Sequence, residues 1–328
     1  MQQKNVEELY EWIDEAATTI EYQENATYLE AVADAMDILF HRTPFEDMSD
    51  LLKQQLEKHL KEVSIEKYEK EEIRKATQLA ILKGMKGATQ QQHLITPDSV
   101  AMFMGYLTQR LFPGNEALAL FDPACGTANL LTAVMNQLDR EVKSYGSDVD
   151  ETLMKLALAN ANLQKNEIEF FHQDSLRPFL MEPVDFILSD LPVGYYPDDI
   201  QAERFTLKAE EGHSYSHHLF IEQGLNYVKD GGFLMFIVPN FLFESDQSSQ
   251  LNTYLREKAH IFGMLQLPES FFKEEKHGKS ILILQKKGKQ TNAPKEALLA
   301  KLPSFKNHHA MADIIGQIDQ WFTKNHPS

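Results

Sequence analysis

The sequence predicts an α/β fold: a mostly parallel, Rossmann-like sheet of seven strands with a helical domain ahead of it. Three observations predict it. Over residues 5–85 the apolar side chains recur at helical spacing. From about residue 90, strand-length apolar runs alternate with helix-length amphipathic ones, as in a parallel sheet covered on both faces. The run FDPACGTANLLTAV, Phe121 to Val134, joins an apolar strand to a helix through a turn of small residues. Open α/β sheets hold a nucleotide-like cofactor at such a connection.

In the N-terminal part, Leu9, Trp12, Ile13, Ala16, Ala17 and Ile20 fall on one helical face, as do Leu29, Val32, Ala33, Met36, Leu39 and Phe40. Pro44 breaks the pattern, Asp50 to Leu60 and Ile65 to Leu82 resume it, and Gly84 and Gly87 punctuate its end. Residues 1–88 therefore read as a small helical domain. Strands are predicted at Ala117–Asp122, Glu141–Asp148, Ile168–His172, Val184–Asp190, Gly232–Pro239, Ile261–Leu267 and Ser280–Lys286. Helices are predicted at Ser99–Leu111, Ala128–Arg140, Glu151–Gln164, Ser216–Val228 and Asp246–Lys258. These elements make residues 89–290 the second domain. Residues 291–328, with Pro294, Pro303 and an amphipathic stretch from Met311 to Phe322, read as a tail that packs back as a helix.

The net charge of −17 is concentrated at the start, where the first 50 residues hold thirteen acidic side chains against Lys4 and Arg42. An acidic surface repels phosphates, which argues against a nucleic-acid binder driven by bulk charge. The acidic face of the helical domain is either solvated or a surface for a protein partner. Lys273, Lys276, Lys279, Lys286, Lys287 and Lys289 form either a local basic patch or the polar face around an edge strand. No run of about 18 apolar residues occurs, so no membrane span is expected. The N-terminus lacks the basic start and apolar core of a secretory signal. The single cysteine, Cys125, excludes an internal disulfide and a multi-cysteine zinc site, and the expected location is cytoplasmic.

Within the turn, Gly126 lets the backbone approach a ligand, and Ala124, Thr127 and Ala128 leave room for it. It is neither a G-x-G-x-x-G turn nor a phosphate-gripping loop, so a pyrophosphate cradle is not expected. The next strand ends in YGSDVDE, and an acidic residue at that tip is placed to bind two ribose hydroxyls. Asp148 is the candidate and Asp150 the alternate, while a helix N-cap is the other use of an Asp here. Cys125 reads as a small packing residue. Adjacent residues on a helix point apart, so His217 and His218 do not suggest a metal site. No G-x-S-x-G elbow suggests a hydrolase.

The DPACG turn resembles motif I of class I S-adenosylmethionine-dependent methyltransferases, in the variant carried by N6-adenine-specific DNA methylases. QQHLITPDSV (Gln91 to Val100) resembles the Q-x-x-T-P segment ahead of it. Asp190-Leu191-Pro192-Val193 stands where these enzymes carry (N/D/S)-P-P-(Y/F). HHLFIEQGLNYVKDGGFLMFIVPNFLFES and LPESFF…GKSILILQKK resemble the methylating subunits of type I restriction–modification systems. The likeness covers residues 90–290. It departs at Ala128, where a second glycine is usual, and at Leu191 and Val193. The usual target-recognition domain has no counterpart, because 38 residues after Gln290 are too few for one.

The resemblance implies S-adenosylmethionine as cofactor. It assigns cofactor contacts to Thr96, Asp122, Pro123, Ala124, Cys125, Gly126, Thr127, Asn129, Asp148, Val149, Asp174, Ser175 and Asp190. Asp174 would accept from the adenine amino group of the cofactor, with Phe171 or Leu176 beside the purine. Asp190 and the Leu191 carbonyl would accept from the amine to be methylated, with Pro192 facing the same acceptor. Val193 cannot stack on a flipped base, and Tyr195 or Tyr196 is the replacement ring. Three functions follow: a DNA adenine methylase, a methyltransferase for RNA, protein or a small molecule, and a non-catalytic S-adenosylmethionine-binding regulator. A basic aromatic cleft above Asp190 favours the first, a closed small cavity the second, and a filled acceptor position the third.

Overall fold

The computed structural model describes residues 1–86, 95–272 and 274–325. The expected domain boundary at 88, Gly87, the first part of QQHLITPDSV and Lys273 lie outside the described residues. The helices are α1 (Gln3–Glu24), α2 (Tyr28–His41), α3 (Asp50–Leu60), α4 (Lys70–Gly84), α5 (Asp98–Leu111), α6 (Asn129–Met135), α7 (Glu151–Leu163), α8 (Asp199–Ala202), α9 (Ser216–Tyr227), α10 (Ser248–Lys258) and α11 (His308–Asn325). The strands are β1 (Leu118–Asp122), β2 (Val142–Asp148), β3 (Ile168–His172), β4 (Val184–Asp190), β5 (Val228–Pro239), β6 (Ala259–Gln266), β7 (Lys279–Lys286) and β8 (Leu298–Lys301). The fold class is α/β, with a mixed, mostly parallel set of strands and a helical N-terminal part. All seven expected strands are present. The eighth, β8, lies in the tail and pairs in parallel with β6.

The chain forms two compact units, and they do not follow the three expected segments. The first comprises Met1–Gly105, Cys125–Asp139 and Ser144–Gln173. Its core collects the apolar faces of α1 to α4 and also takes Leu156, Ala159 and Leu163 from α7. The N-terminal helices therefore complete their core with a helix that lies far along the sequence. Local chemistry sets their ends. Thr27 and Glu30 cap α2 reciprocally. The left-handed Arg42 at its far end is held by guanidinium bonds to the Val63 and Leu60 carbonyls. In the same unit β2 and β3 run in parallel, with Tyr145 opposite Glu169 and Asp148 opposite His172.

A buried guanidinium joins these parts. Arg74 of α4 is fully buried and ion-paired to Glu71 and Asp98, and it donates to Asn129 Oδ1 (2.8 Å) at the start of α6. Burial works to raise the Asp98 carboxyl, but Arg74 and Lys75 together outweigh it and hold that pKa below its usual value.

The second unit comprises Tyr106–Ala124, Arg140–Lys143 and Asp174–Ser328. Its strands lie in the order β1-β4-β5-β7-β6-β8. β1, β4 and β5 are parallel, while β7 is antiparallel to both β5 and β6. That reversal puts the first residue of β7, Lys279, at the edge where β4 and β5 end. It also makes β7 an interior strand, which removes the expected edge-strand reading of its lysines. Lys286 Nζ donates to the Val228 carbonyl and Lys287 Nζ to the Arg256 carbonyl, so these two cations are tied to the chain itself. Gly224 lets α9 lie close on β5, since a Cβ there would meet Leu234 at 2.7 Å and Phe236 at 2.9 Å. In the tail Ile318 and Phe322 of α11 are buried, and Tyr106 donates to Asp319 (2.8 Å). Among the described residues no helix is long and apolar enough to cross a membrane.

Removing one partner of a fully buried ion pair costs about 3–5 kcal/mol, and the cost falls here because Glu71 and Asp98 are part-exposed. Arg74→Met should accordingly lower the unfolding free energy by about 2 kcal/mol in urea titration. A loss under about 1 kcal/mol would show that the network carries no weight.

Candidate functional site

β1 delivers Asp122 to the turn with its carboxylate buried. Oδ1 accepts from the Ala124 amide (3.1 Å) and from the Ser189 hydroxyl (2.7 Å). The Pro123 carbonyl accepts from the Ser175 hydroxyl at 2.5 Å. Asp122, Pro123, Ala124 and Ser175 are thereby brought together in the second unit.

The other half of the turn belongs to the first unit. Gly126 sits at φ 53°, its amide donating to Asp148 Oδ2 (2.9 Å), while the Cys125 amide donates to the Ser147 carbonyl (2.9 Å). Cys125 is buried, and its Sγ would lie 3.2 Å from a Cβ placed on Gly146. Asp148 Oδ1 accepts from the Asp150 amide (3.0 Å). Asp150 itself caps α7 by accepting from Leu153 (2.9 Å), so Asp148 is the carboxylate at the strand tip. A carboxylate has about four lone-pair sites, and the two backbone bonds leave Asp148 capacity for a diol. Exposed Val149 follows it. Thr127 and Asn129 are buried; the Thr127 carbonyl accepts from Asn160, and Asn129 Nδ2 donates to the carbonyl of buried Thr96 (3.3 Å). Ala128, where a second glycine is usual in the family, is fully buried at φ 57°. A left-handed alanine costs roughly 1–2 kcal/mol, so the turn carries strain that glycine would not.

Tyr196 is buried and donates its hydroxyl to Asp174 Oδ2, while Asp174 Oδ1 accepts from the Leu176 amide (2.9 Å). Burial and the Asp174 charge push the Tyr196 phenol up. Both Asp174 oxygens thus have partners, and Tyr196 is not a free platform. Tyr195 is: its ring is 57% exposed and stacks on Tyr215 at 4.9 Å and 17°. Two backbone bonds hold this loop, from the Tyr196 amide to the Ser214 carbonyl and from the Ser216 amide to the Gly194 carbonyl, both 2.8 Å. Leu191 is buried with its amide on the Ile237 carbonyl (3.2 Å), and Pro192 is exposed.

Asp190 forms an ion pair with buried Lys279, whose Nζ donates to Oδ1 at 2.6 Å. Sequence placed Lys279 only in a lysine cluster, and nothing local pairs it with Asp190. The histidines are the other unforeseen feature. His217 and His218 are both buried, their rings meet edge to face at 4.9 Å despite being adjacent on α9, and no ring nitrogen has a hydrogen-bond partner among the described residues. Burial, then His218 and Lys279, pushes His217 down to about 3; burial against the pull of Asp246 pushes His218 down to about 4. Among the described residues no His, Cys, Asp and Glu group is arranged to hold a metal. Beside Ser280, an open cavity of about 500 Å³ is lined by Asn240, Met264, Gln266, Leu299 and Lys301.

The strand, DPACG turn and helix, with an acid at the tip of the next strand, define the class I S-adenosylmethionine-dependent methyltransferase type. The chain belongs to the N-6 DNA methylase family, which it matches over residues 84–313, and residues 7–85 match the YtxK N-terminal helical domain. The Bacillus subtilis protein YtxK is 47% identical over 327 residues, 99% of each chain. A Listeria monocytogenes crystal structure assigned to the class I S-adenosylmethionine-dependent methyltransferases is 41% identical. It superposes with a TM-score of 0.92 over 98% of this chain and 100% of that one. The methyltransferase subunit of a Streptococcus thermophilus type I restriction–modification system is similar in fold, with 15% identity and a TM-score of 0.66 over 94% of this chain and 74% of that one.

A histidine that is buried neutral has a folded pKa below its unfolded value near 6.5. Its contribution is complete above pH 6.5 and is lost on acidification, because the unfolded chain then binds the proton. Urea titrations should show stability falling from pH 6.5 toward pH 4 by up to about 1.4 kcal/mol per pH unit per histidine. His217→Leu should flatten that slope. An unchanged slope would show that His217 does not titrate on unfolding.

Proposed function

We propose that this chain transfers the methyl group of S-adenosylmethionine to an amino nitrogen, with adenine N6 as the acceptor the family likeness favours. The observation that carries the reading is the tie between Gly126 and Asp148, which holds a glycine turn open toward a carboxylate at a strand tip. By the family likeness Asp148 takes the ribose diol, and Thr96 with the backbone of Cys125 and Gly126 takes the methionine part. Asp174 faces the adenine once it exchanges the Tyr196 hydroxyl for the exocyclic amine. The cofactor supplies an electrophilic methyl on a positive sulfur. Asp190 and the Leu191 carbonyl accept from the acceptor amine and aim its lone pair, so the chain contributes positioning and electrostatics. Tyr195, backed by Tyr215, offers the ring that Val193 lacks; a base–aromatic stack is worth about 1–3 kcal/mol.

The Lys279–Asp190 pair supports a second reading, a regulator that binds the cofactor while an amine of its own fills the acceptor position. Net charge of −17 and lysines tied to backbone carbonyls favour it over a DNA enzyme. Radiolabelled transfer to unmethylated DNA separates the two. The enzyme reading expects label at adenine N6, reduced about 100-fold or more in Asp190→Ala. Equal turnover in the variant would remove Asp190 from the mechanism, and no transfer to DNA with the cofactor bound would favour another acceptor or the regulator.

A further inference from the structure

We infer that Lys279 is itself a methyl acceptor of this site, a lysine modified in its own chain. The inference rests on the reading above, in which Asp190 presents an amine to the methyl group. An amine already stands there: Lys279 Nζ donates to Asp190 Oδ1 at 2.6 Å. The fold brings it. β7 runs antiparallel to β5, so its first residue lies at the edge where β4 ends in Asp190. Backbone bonds fix the base of the side chain, with the Lys279 carbonyl accepting from Leu267 (2.9 Å) and the Gly278 carbonyl accepting from Asn240 (2.9 Å).

The lysine is more than nine-tenths buried, yet Asp190 is its one hydrogen-bond partner among the described residues. An ammonium has three donors, and a buried cation usually satisfies more of them. An acceptor nitrogen must leave one of them open for its lone pair. Lys279 acts on buried His217, whose ring nitrogens also have no hydrogen-bond partner among the described residues.

In the step, Lys279 first loses one proton to water, and a remaining N–H keeps donating to Asp190. The lone pair, turned away from the carboxylate, attacks the methyl carbon. The N–C bond forms as the C–S bond breaks, and its electron pair stays on sulfur. The products are a methylated lysine ammonium and S-adenosylhomocysteine, with one proton released to solvent.

The test is to incubate the full chain with S-adenosylmethionine carrying a deuterated methyl, map peptides by mass spectrometry, and measure cofactor affinity in parallel by calorimetry. The expected result is one labelled methyl on Lys279, matched by S-adenosylhomocysteine, and none in Lys279→Met. A methyl already on Lys279 in the isolated protein counts the same way. A Lys279 that carries neither a labelled nor an ordinary methyl, or label only on other residues, with the cofactor bound, overturns the inference. Absence of cofactor binding overturns instead the reading on which it rests.

Discussion

The hydrogen bond from the Gly126 amide to Asp148 is the constraint on which the first unit's part of the turn depends. With the Cys125–Ser147 bond it fastens the turn to the end of β2, which fixes where α6 starts. Only then can Asn129, at the head of α6, hold Thr96 and receive Arg74 from α4. A chain of polar contacts therefore runs from the strand tip to the N-terminal helices. Its inner members, Asn129, Thr96 and Arg74, are buried, so each is costly to leave unpaired. The strain at Ala128 persists within this frame because both ends of the turn are tied.

A second constraint is directional. Parallel strands gather their carboxyl ends at one edge, where open α/β sheets keep their chemistry. A single antiparallel strand brings its amino end to the same edge, and in this chain that residue is Lys279. Asp190, the carboxylate proposed to face the methyl acceptor, consequently sits beside a lysine, and its local field is that of an ion pair.

Much of the fold is legible in the sequence because hydrophobic periodicity is local. β8 escaped notice because LLAK is four residues between prolines, too short to show alternation, and pairing with β6 is what makes it a strand. The shared core of α7 and the N-terminal helices escaped for a related reason: periodicity says that Leu156 and Leu163 are buried, but not against what. At the site, the DPACG turn and Asp148 stood out because strand, turn and acid follow one another within about thirty residues. The Lys279–Asp190 pair spans 89 residues, and a lysine in a basic run looks like a solvated charge. Tyr196 showed the same limit from the other side. Its ring was read as a platform, and only packing reveals that its hydroxyl serves Asp174.

The most direct test of the account is calorimetric titration of S-adenosylmethionine into the wild-type chain and Asp148→Ala. Hydrogen bonds to a charged group are worth about 1.5–3 kcal/mol each, so the variant should bind at least tenfold more weakly while keeping its far-ultraviolet circular dichroism. Equal affinity in the two proteins would contradict the assignment of the Gly126–Asp148 turn as the cofactor site.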